Sequence, residues 1–239
     1  MNRIGIIGAM DSEVDTLTAR MTDRNEQVVA GRAFVTGRLG GRDVVVVKSG
    51  IGKVAAAVTA QMLIDRFGVD YLLNTGMAGG LDSRLAVKDL VIGTEAVQHD
   101  FDLTAFGHAA GYLYGEDDTC PTVFRADARL VQVALEAAAQ VLPAPAKAIT
   151  GRVASGDVFV EDTALKQRLI ADMGAAAAEM EGAAIAQTAS ENGVPFLILR
   201  TISDLAEQKA HISFDELEVY AGQLAGDVTT ALLERLDNT

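Results

Sequence analysis

The sequence predicts an α/β fold with three layers, in which helices cover both faces of a central, mixed and twisted sheet. Short runs of consecutive apolar residues, such as 196–199, are typical of strands that are buried on both faces. Helical segments alternate with these runs along most of the 239 residues. A glycine pair, Gly40 and Gly41, separates two such runs and indicates an early antiparallel hairpin. Because no repeat, linker or change of composition interrupts the pattern, residues 1–239 are expected to form one domain.

Each predicted strand is a short, largely apolar run bounded by glycine or polar residues. In chain order these strands comprise residues 3–7, 33–39, 43–48, 69–74, a strand that starts at 90–93 and leads to 96–100, and residues 147–153, 175–180 and 196–199. Between residues 102 and 124 the pattern fades into a glycine-rich stretch. A loop of that length inside a compact domain usually serves function or partner contacts.

The predicted helices are amphipathic or rich in Ala. The first begins near Asp11, where Asp11 or Ser12 can cap it and where the negative charge of Glu13 suits the helix dipole. The helix over 129–141 ends before Pro143 because proline cannot continue a helix. The remaining predicted helices comprise residues 54–67, 163–173, 183–191 and 214–236.

The helix over 183–191 and the strand over 196–199 form the unit around which the candidate site is organised. Pro195 lies between them and stops the helix, and each leg spans on the order of 20 Å. Glu181, at the start of the helix, and Asp204, just past the strand, should therefore be near neighbours. They are expected at the carboxyl end of a strand, where open α/β sheets bind their ligands.

Composition limits the partners of this chain. Its 33 Asp and Glu against 20 Lys and Arg give a net charge of −13, which repels nucleic acid and anionic membranes and favours a neutral or cationic small molecule. No apolar run approaches the roughly 20 residues that span a bilayer, and the N-terminus lacks the layout of a signal peptide. The single cysteine, Cys120, excludes an internal disulfide and is typical of a reducing cytoplasm, where we expect the protein to be located.

Seven short motifs occur in order: residues 4–10 (IGIIGAM) with Glu13, 49–54 (SGIGKV), 74–80 (NTGMAGG), 99–106 (HDFDLTAF), 155–159 (SGDVF), 179–181 (EME) and 203–204 (SD). Each motif alone is weak, but the ordered set, from residue 3 to about 236, resembles the 5′-methylthioadenosine/S-adenosylhomocysteine nucleosidase family. The resemblance implies a nucleoside phosphorylase/hydrolase-like fold and a homodimer. It also implies hydrolysis of the adenine–ribose bond of a small nucleoside substrate, without a cofactor.

The resemblance assigns the catalytic roles to three acids. Cleavage of the bond passes through an oxocarbenium-like ribose, and adenine leaves badly as an anion. Asp204 is therefore implied to protonate nitrogen seven of adenine, Glu181 to bind the ribose hydroxyls, and Glu13 to activate water on the opposite face. An Asp that donates a proton at neutral pH needs burial or a nearby acid to raise its pKa, and Glu181 could provide that negative charge.

The resemblance also implies a set of binding residues. Phe159 would stack on adenine, with backbone groups near Val160 and Ser203 reading its edge, and Met180 would lie under the ribose. Arg200 would hold the attacking water or form an ion pair. From its position just before the predicted helix, Glu179 is expected to reach the pocket and support it without acting in catalysis. The other implied positions are Met10, Ile51 and Phe214 around the alkylthio group, Ala78 and Gly79 beside the substrate, and Leu103 and Phe106 entering from the second subunit.

One position departs from the family pattern. Met77 stands where many relatives carry a small polar residue, which removes any hydroxyl contact to water or ribose from that position. A contact made by the backbone there survives the change. The stretch from Tyr112 to Thr119 also matches poorly, so preference among 5′ groups is left open.

Other functions remain as alternatives. A purine nucleoside phosphorylase would share the fold but use phosphate, which Glu13 would repel, and a 6-amino-6-deoxyfutalosine hydrolase would use the same pocket. A dinucleotide-binding oxidoreductase fails because no complete Gly-x-Gly-x-x-Gly follows the first strand. The loop over 49–53 can hold an anion at a helix start but lacks P-loop spacing, and the His99, Asp100 and Asp102 group is interpreted as a hydrogen-bonded loop instead of a metal site. A further alternative, from a different class of function, is a nucleoside sensor without catalytic activity.

Overall fold

The computed structural model describes residues 2–115, 117–205 and 214–236. Within these ranges the strands are β1 (Arg3–Gly8), β2 (Thr22–Val29), β3 (Arg32–Leu39), β4 (Arg42–Lys48), β5 (Tyr71–Gly80), β6 (Leu90–Gln98), β7 (Phe124–Arg125), β8 (Ala148–Ser155), β9 (Ala175–Glu179) and β10 (Phe196–Asp204). The helices are α1 (Asp11–Arg20), α2 (Lys53–Phe67), α3 (Ala128–Val141), α4 (Thr163–Met173), α5 (Gly182–Glu191) and α6 (Phe214–Arg235). Thr104–Phe106 forms a short 3-10 turn.

All ten strands belong to one mixed sheet, as the sequence predicts. The order is β10-β6-β8-β9-β5-β1-β4-β3-β2, with β7 paired to β6. Strand β10 also pairs with β5, so β5, β10, β6, β8 and β9 close into a ring while the other strands extend from β5 as an open arm. Neighbours β4, β1, β5 and β10 run parallel, and their carboxyl ends therefore lie at one edge of the sheet.

Helices pack on both faces of the sheet and confirm the three layers. On one face, apolar residues of α2 and α5, including Ala60, Leu63 and Ile185, pack against the buried side of the strands. On the other face, α1, α3 and α6 bury residues such as Leu17 and Leu232. The many alanines of α5 let this helix approach α2 closely, because a small side chain keeps the helix axes near each other.

Several local predictions differ from the structure. Strand β7 lies at the end of the stretch predicted as a loop, where it pairs with β6. Strand β2 was not expected, because its sequence TDRNEQVV is polar and mostly exposed; its pairing with β3 at the edge of the sheet stabilises it. The cap of α1 is Met10, not Asp11 or Ser12, because the helix already begins at Asp11. Strands β5 and β10 run beyond the predicted ends to Gly80 and Asp204, because they pair with each other along this extension.

Among the described residues, no helix combines the length and the apolar character that crossing a membrane requires.

Candidate active site

Glu13 lies in the first turn of α1, and its carboxylate turns back toward the end of β1. Oε2 accepts the backbone N–H groups of Ala9 at 2.5 Å and Met10 at 3.1 Å, and Oε1 accepts that of Met77 at 3.2 Å. A Cβ at Gly76 would lie 2.6 Å from Oε1, so only glycine leaves room for this carboxylate. Met77 contacts Glu13 through its backbone N–H. This contact does not depend on the side chain, which departs from the family pattern.

The electrostatic setting of Glu13 suits a proton acceptor. Burial raises its pKa above the ordinary value, although the positive charge of Arg200 and the backbone donors of Met10, Ala9 and Met77 oppose the rise. A carboxylate with a raised pKa is a stronger base than an exposed glutamate. Glu13 can therefore take a proton from water near neutral pH more readily than a surface acid.

Arg200, on β10, is the central cation of the site and is fully buried. Its guanidinium donates to Asn74 Oδ1 at 2.5 Å, and it forms a hydrogen-bonded ion pair with Glu179, with Nε 3.1 Å from Oε2. Burial alone would lower the pKa of Arg200, but the carboxylates of Glu179, Glu181 and Glu13 raise it. One cation thus offsets part of the charge of three buried acids.

Glu179 ends β9 and directs its carboxylate into the protein. It accepts hydrogen bonds from Ser155 Oγ, from Arg200, and from the N–H of Gly182 at 2.8 Å. Burial would raise its pKa, but the charge of Arg200 and these hydrogen bonds hold the pKa below the ordinary value. Glu179 therefore stays ionised and fixes the start of α5, next to Glu181, while its supporting role toward the substrate stays a prediction.

Glu181 precedes α5 and is the acid whose protonation changes near neutral pH. Its Oε1 accepts the N–H of Gly52 at 2.8 Å, and its Oε2 lies 3.9 Å from Arg200 Nη2. Burial and the neighbouring charge of Glu179 raise its pKa to about 7. Because this folded-state pKa lies above the unfolded value, the stability that Glu181 contributes is present at low pH and is lost as the pH rises through about 7.

Asp204 is the last residue of β10 and pairs with Gly79 of β5, after a shift in register. Its Oδ2 accepts the hydroxyl of Ser203 at 2.8 Å, and the same hydroxyl lies 3.3 Å from the carbonyl oxygen of Ala78. Gly79 also pairs with Ala178, which immediately precedes Glu179. Since neighbouring strands lie about 4.8 Å apart, the backbone of Asp204 is about 10 Å from that of Ala178, two strands away.

The start of α2 closes another side of the site. The N–H of Gly52 donates to Glu181, and the N–H of Lys53 donates to Asp157 Oδ1 at 2.8 Å. Gly52 has a φ of 97°, in the region that favours glycine. The anion-binding position predicted at this glycine-rich loop is therefore occupied by two of the protein's own carboxylates.

The remaining predicted residues differ in their exposure to solvent. Met10 and Met180 are half-buried and Val160 is buried, whereas Ile51 and Phe159 are 61% and 67% exposed. Leu103 and Phe106 belong to the segment after β6, where Phe106 is 80% exposed. Phe214 opens α6, but its side chain lies outside the described residues.

Two members of the predicted hydrogen-bonded loop at His99, Asp100 and Asp102 form the hydrogen bonds expected of it. Asp100 pairs with Lys53 at 2.5 Å, and Asp102 accepts the N–H of Thr104 at 2.8 Å. In the part of the chain that the structure describes, no three His, Cys, Asp or Glu side chains are grouped to hold a metal ion.

Sequence reasoning assigned no role to three polar residues of the site. Asn74 binds Arg200 and donates to the carbonyl oxygen of Ile7 at 3.0 Å, Ser155 binds Glu179, and Asp157 binds the start of α2. Asn74 and Ser155 lie within or at the end of a buried strand, and a polar residue in such a place is the signal that could have revealed them.

We expect Arg200→Met to destabilise the fold by about 3–5 kcal/mol at pH 8, because Glu179 would be left as a buried and uncompensated charge. Urea unfolding measures this loss. The pKa of Glu179 would rise in the variant, so part of the stability should return as the pH falls toward 5 and that group becomes neutral. As a control, Arg38→Met removes a partly exposed ion pair with Asp43 and should cost about 1 kcal/mol or less. A loss below that level for Arg200→Met would contradict the role of Arg200 as the central cation.

Comparisons with known proteins agree with this fold. The model of the phosphorylase superfamily matches residues 3–236. A 5′-methylthioadenosine/S-adenosylhomocysteine nucleosidase of Shewanella baltica is 43% identical over 236 residues, which cover 98% of each chain. The structure of a nucleosidase of the same name from Colwellia psychrerythraea 34H, in complex with adenine, has a TM-score of 0.88 and 41% identity, covering 97% of this chain and 94% of that one.

A futalosine hydrolase of Helicobacter pylori is also similar. Its structure has a TM-score of 0.89 and 33% identity and covers 98% of both chains. The nucleosidases of Shewanella baltica and Colwellia psychrerythraea 34H have a higher identity to this chain. From the superfamily match and the near-complete coverage of these relatives, the chain belongs to the 5′-methylthioadenosine/S-adenosylhomocysteine nucleosidase family of the phosphorylase superfamily.

Proposed function

We propose that this protein hydrolyses the N-glycosidic bond of 5′-methylthioadenosine and S-adenosylhomocysteine and releases adenine and the 5′-thio-substituted ribose. The observation that carries the proposal is the buried group of Glu13, Glu181 and Arg200, which lies at the same edge of the sheet as Asp204. Relatives at 43% identity that bear this activity in their names support it.

The register of β5 and β10 gives the distance over which the acids would act. Glu13 lies at the level of Gly76, whereas Asp204 pairs with Gly79, three residues further along β5. Three residues of strand span about 10 Å. This span suits a nucleoside placed between the two acids, with its adenine toward Asp204 and the attacked carbon of the ribose toward Glu13.

In this arrangement each acid has a separate task. Asp204 protonates nitrogen seven of adenine, so that the base leaves as a neutral molecule and the glycosidic electron pair moves onto it. Glu181, when ionised, accepts hydrogen bonds from the ribose hydroxyls and stabilises the cationic sugar. Glu13 removes a proton from the water that attacks the sugar carbon on the opposite face. Arg200 holds Glu179 and Glu181 in place by charge.

The phosphorylase alternative is disfavoured by the charges around the ribose. Phosphate would need free donors, yet the N–H groups of Gly52 and Lys53 at the start of α2 already bind Glu181 and Asp157. Glu13 adds a third carboxylate close to Arg200. An incoming dianion would meet these like charges, and water is the more suitable nucleophile.

The futalosine hydrolase alternative shares the reaction and the pocket. It is the second candidate, because the similar futalosine hydrolase is 33% identical to this chain, against 43% for the nucleosidase of Shewanella baltica. An assay of methylthioadenosine, S-adenosylhomocysteine and 6-amino-6-deoxyfutalosine, each with and without phosphate, separates the possibilities. We expect adenine from the first two substrates at rates that do not depend on phosphate. Ribose 1-phosphate as a product, or a clear preference for the third substrate, would overturn the proposal. No base release from any of them would indicate a non-catalytic nucleoside sensor.

We further propose that residues 1–239 act as one domain within a homodimer, in the cytoplasm, and that Leu103 and Phe106 of one subunit complete the pocket of the other. Large exposed apolar side chains support the dimer, since a patch of this kind commonly marks a protein interface. They come from three neighbouring segments of the chain: Ile51 and Val54, Phe101 and Phe106, and Val158 and Phe159.

We expect Phe106→Ala to leave the dimer intact and to raise KM for methylthioadenosine by about tenfold, because an apolar contact to the 5′ group would be lost. Steady-state assays and sedimentation velocity measure the two effects. Val28→Ala provides the control, since Val28 is 66% exposed on the edge strand β2. A fully active monomer, or an unchanged KM in Phe106→Ala, would contradict the shared pocket.

A further inference from the structure

Lys53, Asp100 and Asp157 connect three segments of the chain beside the site, and we name them the Lys53 cluster. Lys53 Nζ donates to Asp100 Oδ1 at 2.5 Å, and the backbone N–H of Lys53 donates to Asp157 Oδ1 at 2.8 Å. The N–H of Asp157 in turn donates to Asp100 Oδ2 at 2.8 Å. The side chains of Lys53 and Asp100 are only 16% and 21% exposed, so this ion pair is shielded from solvent more than a surface pair is.

The Lys53 cluster is also attached to α5. Lys53 Nζ donates to Gln98 Oε1 at 2.9 Å, and Gln98 Nε2 donates to Gln187 Oε1 on α5 at 2.6 Å. Glu181 precedes the first turn of the same helix. The cluster therefore connects the start of α2, the end of β6 and the loop after β8 to the helix that begins directly after Glu181.

Gly52 brings the cluster into contact with Glu181. Its N–H donates to Glu181 Oε1 at 2.8 Å, while the next N–H, that of Lys53, donates to Asp157. A Cβ at Gly52 would lie 2.9 Å from Asp157 Oδ1, so the loop after β8 packs directly on this turn. The position of the Gly52 N–H thus depends on the contacts of Lys53 with Asp100 and Asp157.

We propose that Lys53, Asp100 and Asp157 are positioning residues for catalysis, which hold the Gly52 N–H against Glu181 and thereby set the pH range in which Glu181 can bind ribose. The inference rests on the proposed function, because it assigns Glu181 to the ribose hydroxyls. The same contacts hold the loop that carries Phe159 beside the start of α2.

The charges around Glu181 determine the direction of the effect. Glu179 on β9 and Glu13 on α1 raise its pKa, whereas Arg200 on β10 and the Gly52 N–H at the start of α2 lower it. Lys53 itself faces Asp100 and Gln98. Loss of the Gly52 hydrogen bond would therefore raise the pKa of Glu181 further above about 7. A larger fraction of the enzyme would then be protonated and unable to bind ribose at a given acidic pH.

The test is the pH profile of kcat/KM for methylthioadenosine, between pH 5 and 9, with purified full-length protein. For the wild type we expect kcat/KM to fall as the pH drops below about 7, the pKa of Glu181. In Lys53→Met and Asp157→Ala we expect this fall to move up by about one pH unit, since a hydrogen bond to a charged group corresponds to a shift of that order. The deficit would be about tenfold larger at pH 6 than at pH 9.

Three comparisons complete the design. Asp157→Asn keeps an oxygen that accepts the Lys53 N–H, so it should restore most of the wild-type profile. Glu95→Gln breaks a comparably shielded pair with Arg152, at 2.7 Å, and should leave the profile unchanged. If kcat/KM falls by the same factor at every pH, the inference is overturned and the role of the cluster is purely structural. This comparison uses Lys53→Met, Asp157→Ala or both, according to which of them folds. Failure of the wild type to release adenine would instead refute the proposed function.

Discussion

Asp204→Asn should reduce adenine release from methylthioadenosine by about 10²–10⁴-fold, because the variant lacks the proton that adenine must receive as it leaves. Asparagine has nearly the same shape, and its amide oxygen can still accept the hydroxyl of Ser203, which now donates to Asp204 at 2.8 Å. The backbone pairing with Gly79 does not involve the side chain. The fold and the affinity for substrate should therefore change little, and the loss should appear in kcat.

A substrate with a better leaving group separates the loss of the acid from damage to the site. The nitrophenolate group of a nitrophenyl riboside leaves without protonation. Asp204→Asn should therefore hydrolyse this substrate at nearly the wild-type rate. Asp82→Asn is the matched control, since Asp82 lies just beyond the end of β5 and its carboxylate forms an ion pair with the exposed Arg84. Wild-type-like turnover of methylthioadenosine by Asp204→Asn would refute the assignment of the general acid.

Glu13→Gln should reduce turnover by a similar factor, about 10²–10⁴, because an amide cannot take the proton of the attacking water. The buried carboxylate accepts three backbone N–H groups, two at Oε2 and one at Oε1. The amide NH₂ of glutamine, in place of either oxygen, would point at a backbone N–H group that is itself a donor. The side chain should therefore also shift. Stopped-flow measurement of adenine formation in a single turnover reports the chemical step directly.

The nitrophenyl riboside distinguishes this variant from the previous one. Activation of water is needed whatever the leaving group, so Glu13→Gln should be slow on both substrates. Binding of adenine, measured by calorimetry, should stay within about twofold of the wild type, since the role proposed for Glu13 is on the sugar side. Equal activity of Glu13→Gln and wild type on either substrate would exclude Glu13 as the base.

Much of the fold could be predicted from local sequence signals. The helices and most strands lie within a few residues of their predicted bounds, because apolar periodicity, glycine and proline act locally. Strand β2 could not be predicted in this way, since its polar residues become a strand only by pairing with β3. The extension of β5 and β10 to Gly80 and Asp204 likewise depends on the pairing of two strands that are distant in sequence.

The same distinction between local and long-range information applies to the candidate site. The order of the motifs indicated the family and singled out Glu13, Glu181 and Asp204, since residue types and their spacing are properties of the sequence itself. The partners of these acids were not predictable. Gly52 and Glu181 are 129 residues apart, and Arg200 and Asn74 are 126 residues apart.

The sequence by itself determined the reaction class, the candidate acids and the layered α/β fold, because family motifs and apolar periodicity are local features of the chain. Only the tertiary structure decided that Glu179 is held ionised by Arg200, that Glu181 has a pKa of about 7, and that the start of α2 binds the protein's own carboxylates. The physical reason is that the charge state of an acid depends on its burial and on the charges and donors within a few ångströms, and folding alone brings these together.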